Sequence, residues 1–240
     1  MPSIRAAALT DIGRVRRQNE DRVIFDEAVR LYGVADGVGG LPGGAEAAQQ
    51  SLDDVTAAIK GLTNGAEANL TAIVHHTNQA VLDLGRRISP AMGIGTTLTF
   101  GYIHDGALKI AHVGDSRCYG WRNGELQQLT EDHSVENEAR QRRARGEVIY
   151  YHEANRNALT RCIGQPTPPD VDLLTRPIQA GDRYLFCTDG VTRMVSQSEI
   201  GELMGKAADP AAALKELIML AVRRGGPDNA TGVLAIVDSV

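Results

Sequence analysis

Residues 95–130 read GTTLTFGYIHDGALKIAHVGDSRCYGWRNGELQQLT, and four alternating segments can be traced through them, 96–104, 107–113, 117–122 and 125–130. Asp105-Gly106 and Asn123-Gly124 sit at two of the junctions. Asp-Gly and Asn-Gly supply the positive φ that two-residue hairpins require, so the stretch predicts an antiparallel meander of four strands. Outside it, 6–10, 22–25, 29–35, 171–175, 183–188 and 232–237 are short, rich in branched or aromatic residues and bounded by turn formers. They predict six further strands.

Helical signals punctuate these strands. Leu70, Ile73, Val74, Thr77, Val81 and Leu84 recur at three and four, predicting an amphipathic helix over 66–87. Asp209-Pro210 is an acidic N-cap followed by proline at the first helical position, and Gly225-Gly226 closes that helix after Arg223-Arg224. Ser196-x-x-Glu199 has capping-box spacing, and 44–60 and 134–145 complete the set. Strands and helices come in blocks and do not alternate as βαβ units. The expected fold is a single α+β domain over 1–240, with antiparallel sheets and helices packed outside.

Composition excludes several classes. Lys+Arg 25 against Asp+Glu 30 gives a net charge of −5, the wrong sign for a phosphate-backbone binder, so no nucleic-acid partner is expected. No run approaches the roughly 18–20 apolar residues of a membrane span, and residues 1–13 hold no apolar core of signal-peptide length. A cytoplasmic chain with no membrane partner is expected. The three cysteines, Cys118, Cys162 and Cys187, have no Cys-x-x-Cys spacing and are expected as small core residues in a reducing compartment.

Four aspartates share one local grammar. Val34-Ala35-Asp36-Gly37, His112-Val113-Gly114-Asp115-Ser116 and Phe186-Cys187-Thr188-Asp189-Gly190 each run an apolar strand into an acid, and in Gly226-Pro227-Asp228-Asn229 the acid precedes one. An aspartate before glycine is usually a turn residue, and Asp105-Gly106 needs no other explanation. Asp36 differs, because the glycine-rich Val38-Gly39-Gly40-Leu41-Pro42-Gly43-Gly44 follows it where a hairpin would have a second strand. Carboxylates gathered at strand ends repel one another unless a cation neutralises them. With oxygen ligands and no Cys or His at ligand spacing, hard ions such as Mg²⁺ or Mn²⁺ are preferred. Glu20-Asp21 add two acids, and Arg14, Arg16 and Arg17 supply cations suited to phosphate.

Eight segments in order carry a resemblance. They are Thr10-Asp11-x-Gly13-x-x-Arg16-x-x-Asn19-Glu20-Asp21; Val34-Ala35-Asp36-Gly37-x-Gly39-Gly40; Gly95-Thr96-Thr97-Leu98; His112-Val113-Gly114-Asp115-Ser116-Arg117; Leu129-Thr130-x-Asp132-His133-Ser134; Asn157-x-Leu159-Thr160-Arg161; Cys187-Thr188-Asp189-Gly190; and Gly226-x-Asp228-Asn229-Ala230-Thr231. Together they resemble the protein phosphatase 2C family, the metal-dependent (PPM) Ser/Thr phosphatases, in the compact bacterial form. The resemblance implies a four-layer αββα sandwich, two packed antiparallel sheets flanked by helices, with metals in a cleft at one end.

Carried over by position, Asp36 would bridge two Mn²⁺ or Mg²⁺ ions. Gly37 would offer its carbonyl to one, and Asp189 and Asp228 would complete the other. Asp115, with Asp189, would help hold a weaker third ion. Glu20 and Asp21, with Asn229 beside them, would orient metal-bound waters, and Arg16 would clamp the phosphate. A water or hydroxide between the two ions would attack phosphorus in line, so no protein nucleophile is needed. Val38 stands where many eukaryotic relatives have a proton-donating histidine, so the leaving alkoxide would take its proton elsewhere.

The six histidines are expected to be structural, with His133 the nearest to the site. Residues 134–157 would form a variable flap beside the cleft, where Arg140, Arg142, Arg143 and Arg145 would help recruit acidic phosphopeptides. The partners implied are phosphorylated Ser/Thr proteins, a Ser/Thr kinase of eukaryotic type and forkhead-associated proteins, with the phosphatase a monomer. A stand-alone enzyme of this kind is also implied to serve secretion-system pathways. The rival readings are a catalytically inactive metal-binding regulatory module of the same fold, a serine hydrolase using Ser116 and a nucleotide binder. Ser116 lacks a Gly-x-Ser-x-Gly elbow, and the glycine loop lacks both the third dinucleotide glycine and a following Gly-Lys-Ser/Thr.

Overall fold

The computed structural model describes residues 2–62 and 66–240. In chain order its elements are β1 (Ser3–Asp11), β2 (Asp21–Asp26), β3 (Leu31–Asp36), α1 (Gly44–Lys60), α2 (Leu70–Ile88), β4 (Leu98–His104), β5 (Ala107–Val113), β6 (Arg117–Arg122) and β7 (Glu125–Gln128). They continue with α3 (Val135–Ala144), β8 (Asp172–Pro177), β9 (Arg183–Cys187), α4 (Asp189–Thr192), α5 (Gln197–Lys206), α6 (Pro210–Arg223) and β10 (Ala230–Ser239). The strands form two five-stranded sheets, ordered β1-β10-β9-β6-β7 and β2-β3-β4-β5-β8. Every pairing within them is antiparallel.

The period-2 alternation of each strand divides the apolar residues among three cores. Along β9, Tyr184 and Phe186 point between the sheets, and Leu185 and Cys187 point to the helices. Along β10, Val233, Ala235 and Val237 face inward while Leu234 and Ile236 face out. The outer core of one sheet is closed by Ile200 and Met204 of α5 with Leu214, Leu217 and Ile218 of α6. That of the other is closed by Leu52, Val55 and Ile59 of α1 with Val74 and Val81 of α2. The result is the expected αββα sandwich.

The predicted meander is corrected. β4 pairs with β5 and β6 with β7, with Asp105 and Asn123 at φ 47° and 54° in their turns, but β5 and β6 lie in different sheets. At Gly114-Asp115-Ser116 the chain crosses from one sheet to the other, and β6 pairs instead with β9. Hairpin chemistry fixes a turn locally; it does not fix which sheet the next strand joins. A second correction concerns the helix expected over 66–87, which starts at Leu70. Asn69 caps it by accepting the Ala72 amide at 3.0 Å, and the Ala68 amide is bonded to the Tyr102 hydroxyl. Asp209 accepts from Ala212 and Ser196 and Glu199 form a reciprocal capping box, as their spacing implies, and Ser134 caps α3 by accepting from Asn137.

Candidate active site

Register brings the acids to one end of the sandwich. Asp21 and Asp36 are paired across β2 and β3, so both leave the sheet at the same edge. In the other sheet Cys187 stands opposite Gly232 on one side and Arg117 on the other. The residues just beyond these positions, Asp189, Asp228 and Asp115, therefore leave at a common end. A cleft of about 520 Å³ opens there, lined by Asp36, Asp115, Asp189 and Asp228 with Arg16 and Arg193.

Each acid is fixed by its backbone. The Asp36 amide donates to Thr97 Oγ1 at 2.9 Å, and its carbonyl accepts from the Thr97 amide and Thr96 Oγ1, both at 2.8 Å. The next residue, Gly37, passes so close to Gly44 that a Cβ on it would stand 2.4 Å from the Gly44 carbonyl carbon. The glycine-rich loop therefore folds back on itself as it enters α1. Asp115 is held through Gly114, whose carbonyl accepts the His133 amide at 2.7 Å and whose amide donates to His133 Nδ1 at 3.1 Å. Asp189 opens α4 immediately after β9.

The surroundings raise the pKa of Asp36, Asp21, Asp115 and Asp189. Burial, with the charges of Asp21, Asp189, Asp115 and Asp228 added, drives Asp36 well above the usual carboxylate range. Burial pushes Asp21 and Asp115 up to about 7 each, and Asp189 rises for the same reason against the opposing pull of Arg193. Glu20 is also raised, chiefly by burial; its carboxylate lies against Gly44. Such a cluster is stable as carboxylates only with cations among them.

The donor set fits a hard divalent ion. Asp21 Oδ1 and Asp189 Oδ1 are buried oxygens without a hydrogen-bond partner, which is costly unless a cation or its water sits there. As the side chains stand, no three acidic, histidine or cysteine residues among those described close on one point. The guanidiniums of Arg16 and Arg193 stand among them. An ion that keeps several of its waters requires only one or two protein carboxylates.

The loop between β1 and β2 presents Arg16. Its Nη2 donates to Asp228 Oδ2 at 2.8 Å, and a Cβ at Gly39 would stand 3.0 Å from its Nη1, so glycine leaves the guanidinium its space. Burial works against the Arg16 charge, but Asp228, Asp36 and Glu20 outweigh it and raise its pKa. Asn229 ties down the loop: Nδ2 donates to the Ile12 and Gln18 carbonyls at 2.9 and 3.0 Å, and Oδ1 accepts the Glu20 amide at 2.8 Å. Arg14 and Arg17, expected as neighbouring cations, do not line the cleft.

Several expectations are revised by the geometry. Cys162 is not a core residue; it lines the cleft, where Gln165 Nε2 donates to its sulfur at 2.9 Å and burial raises its pKa. Cys118 and Cys187 are buried as expected. His133 does not face the cleft. Because the Gly114 amide donates to Nδ1, the proton is on Nε2, which donates to Asp172 Oδ2 at 3.1 Å. Ser116 is wholly buried against Thr97 Oγ1 at 2.8 Å and reaches no substrate. None of the flap arginines lines the cleft; Arg142 and Arg145 pair with Glu147, and Arg143 lies over Tyr151 and donates to the Ile149 carbonyl.

Arg193 was missed by sequence reasoning. Its signal is the i,i+4 spacing from Asp189, which places both on one face only if residues 189–193 form a helical turn. A groove of about 500 Å³ between α5 and α6 is no rival site for phosphate, because its charged lining is Glu199, Glu202, Asp209 and Glu216 against Lys206.

An αββα sandwich with a carboxylate cleft and an adjacent guanidinium defines a class of phosphoryl-handling domain, and comparison places the chain within it. The family model described as Protein phosphatase 2C matches residues 9–230, and the chain belongs to that family. The chain is 36% identical over 237 residues to the serine/threonine protein phosphatase PstP of Mycobacterium tuberculosis, covering 98% of this chain and 45% of the relative; it thus spans about half the length of that protein. It is 31% identical to the serine/threonine phosphatase stp of Listeria innocua, over 94% of this chain and 92% of the relative. The crystal structure of the catalytic domain of PstP in complex with two manganese ions superposes with a TM-score of 0.83 at 34% identity, covering 98% of each chain.

Proposed function

We propose that this chain hydrolyses phosphoserine and phosphothreonine monoesters on protein substrates, using two divalent cations held in the carboxylate cleft. The observation that carries the proposal is the convergence of Asp36, Asp115, Asp189 and Asp228 with Arg16 in one cleft. Asp36 would be shared by both ions, with the Gly37 carbonyl serving one and Asp189 and Asp228 the other. Glu20 and Asp21 would support that set from behind, and Asn229 anchors the loop that carries Arg16. Manganese in a relative's structure favours Mn²⁺, and the oxygen ligands also suit Mg²⁺. Bound there, the cations would supply Lewis-acid charge and lower the pKa of a water.

The chain's own part is binding and orientation. Arg16, with its side chain 37% exposed, meets a non-bridging phosphate oxygen and neutralises its charge. The Asp36 backbone, gripped on both sides by Thr96 and Thr97, keeps the central carboxylate from moving as substrate binds. No side chain supplies the nucleophile. Cys162 is the candidate for that role in the cleft, but burial raises its pKa and leaves it a poor thiolate. Val38, on the cleft wall, carries no proton, so the leaving alkoxide takes one from solvent.

Residues 1–240 act in this reading as one domain with 134–157 as a flap, whose arginines recruit acidic sequence around the phosphosite from outside the cleft. A Ser/Thr kinase of eukaryotic type would install the phosphate, and forkhead-associated proteins would be among the substrates, with a monomeric enzyme acting in the cytoplasm. Three free thiols support a reducing compartment, and among the described residues no helix is long and apolar enough to cross a membrane.

The test is the initial rate of phosphate release, with Mn²⁺, from matched phosphothreonine, phosphoserine and phosphotyrosine peptides. Turnover of the first two, with phosphotyrosine roughly tenfold slower or worse, is expected. Preference for phosphotyrosine, or no release from any of the three, would overturn the proposal.

A further inference from the structure

Arg193 extends from the end of α4 into the cleft and meets three carboxylates. Its Nη2 pairs with Asp189 Oδ2 and lies 3.9 Å from Asp115 Oδ2, while Nη1 is 4.0 Å from Asp228 Oδ2. The side chain is tethered to the turn that presents Asp189, because the Arg193 amide donates to the Asp189 carbonyl at 2.8 Å. Its position is therefore set by the same backbone that sets the acid.

We infer that Arg193 is a built-in cation on the Asp115 and Asp189 side of the cleft, standing where a third divalent ion would otherwise be held, so that the chain takes two ions. The inference rests on the metal-centre reading above and assigns one of that centre's neutralising charges to a residue. An ion between Asp115 and Asp189 would have to share both carboxylates with a guanidinium in contact with one and 3.9 Å from the other. Like charges at that spacing repel strongly in a partly buried site. The core ions meet the same guanidinium at Asp189 and, 4.0 Å away, at Asp228, but they have Asp36 as a further carboxylate, whereas a third ion would have only Asp115 and Asp189, both already beside Arg193. Asp115 accordingly keeps a charge partner with no metal beside it. A fixed guanidinium there also requires no ion at high concentration to complete the site.

The test is manganese stoichiometry. Metal-stripped protein is dialysed against a series of Mn²⁺ concentrations and bound metal is measured per chain, with circular dichroism as the check on folding. Wild type is expected to saturate at two ions. Arg193→Gln and Arg193→Asp are expected to take up a third over the same range, and Arg193→Lys, which keeps the charge, to remain at two. Three ions in wild type, or two in the Gln and Asp variants as well, would overturn the inference and leave the two-metal reading intact. No manganese bound by wild type would overturn both.

Discussion

The side-chain oxygen of Asn229 accepts the backbone amide of Glu20 at 2.8 Å, across 209 residues of chain. Through its other end the same side chain bonds the carbonyls of Ile12 and Gln18, so one amide spans the base of the loop that carries Arg16. Asn229→Ala removes all three bonds without touching a carboxylate. Each is worth about 0.5–1.5 kcal/mol. If half of that is felt as loss of Arg16 positioning, kcat/KM falls by roughly tenfold. Kinetics with a phosphopeptide should show the loss, while manganese affinity stays within about threefold of wild type.

Asp21 is buried, and Thr188 Oγ1 donates to its Oδ2 at 2.8 Å. The same hydroxyl oxygen accepts the Thr231 amide at 3.1 Å, so Thr188 joins β9, β10 and the start of β2 beneath the cleft. Thr188→Val keeps the shape and removes the hydroxyl. A loss of about 1–3 kcal/mol of stability is expected, since two buried polar groups are left without partners. Urea unfolding of the two proteins at one pH measures it.

His112 sets a pH dependence that is independent of the cleft acids. It is buried, its Nε2 donates to the Glu131 carbonyl at 2.8 Å, and its ring lies 4.7 Å from that of His133. Burial, reinforced by His133, lowers its pKa from 6.5 to about 4. The native state therefore binds fewer protons than the unfolded chain between these values, and stability rises with pH there. The contribution is complete above about 6.5 and is lost as pH falls through about 4, a change of about 3 kcal/mol. Unfolding free energies at pH 7.5 and pH 5 should differ by about 2 kcal/mol more in wild type than in His112→Gln. Equal pH slopes would contradict this assignment.

What the sequence makes legible is what is decided locally. Asp105 and Asn123 take the positive φ their turns demand, and Ser196, Glu199 and Asp209 make the caps their spacing implies. The crossing at Gly114-Asp115-Ser116 is not legible, because a tight change of direction between strands looks the same whether the next strand pairs with its predecessor or with β9. Arg193 is hidden for a related reason. Its tie to Asp189 exists only through a helical turn of four residues, too short to leave a periodicity. Cys162 reads as one more small apolar residue until its loop is seen to border Gly37 and Val38 in the cleft.

The most direct measurement compares phosphate release from a phosphothreonine peptide by wild type and Asp36→Asn, each with manganese and with excess EDTA. Asparagine keeps the size of the central side chain and removes the charge by which two cations would be shared. Wild type is expected to turn over with manganese and to stop with EDTA, and the variant to fall by at least about a hundredfold with manganese present. Full activity in the variant, or metal-independent turnover by wild type, would contradict a phosphatase site built on Asp36.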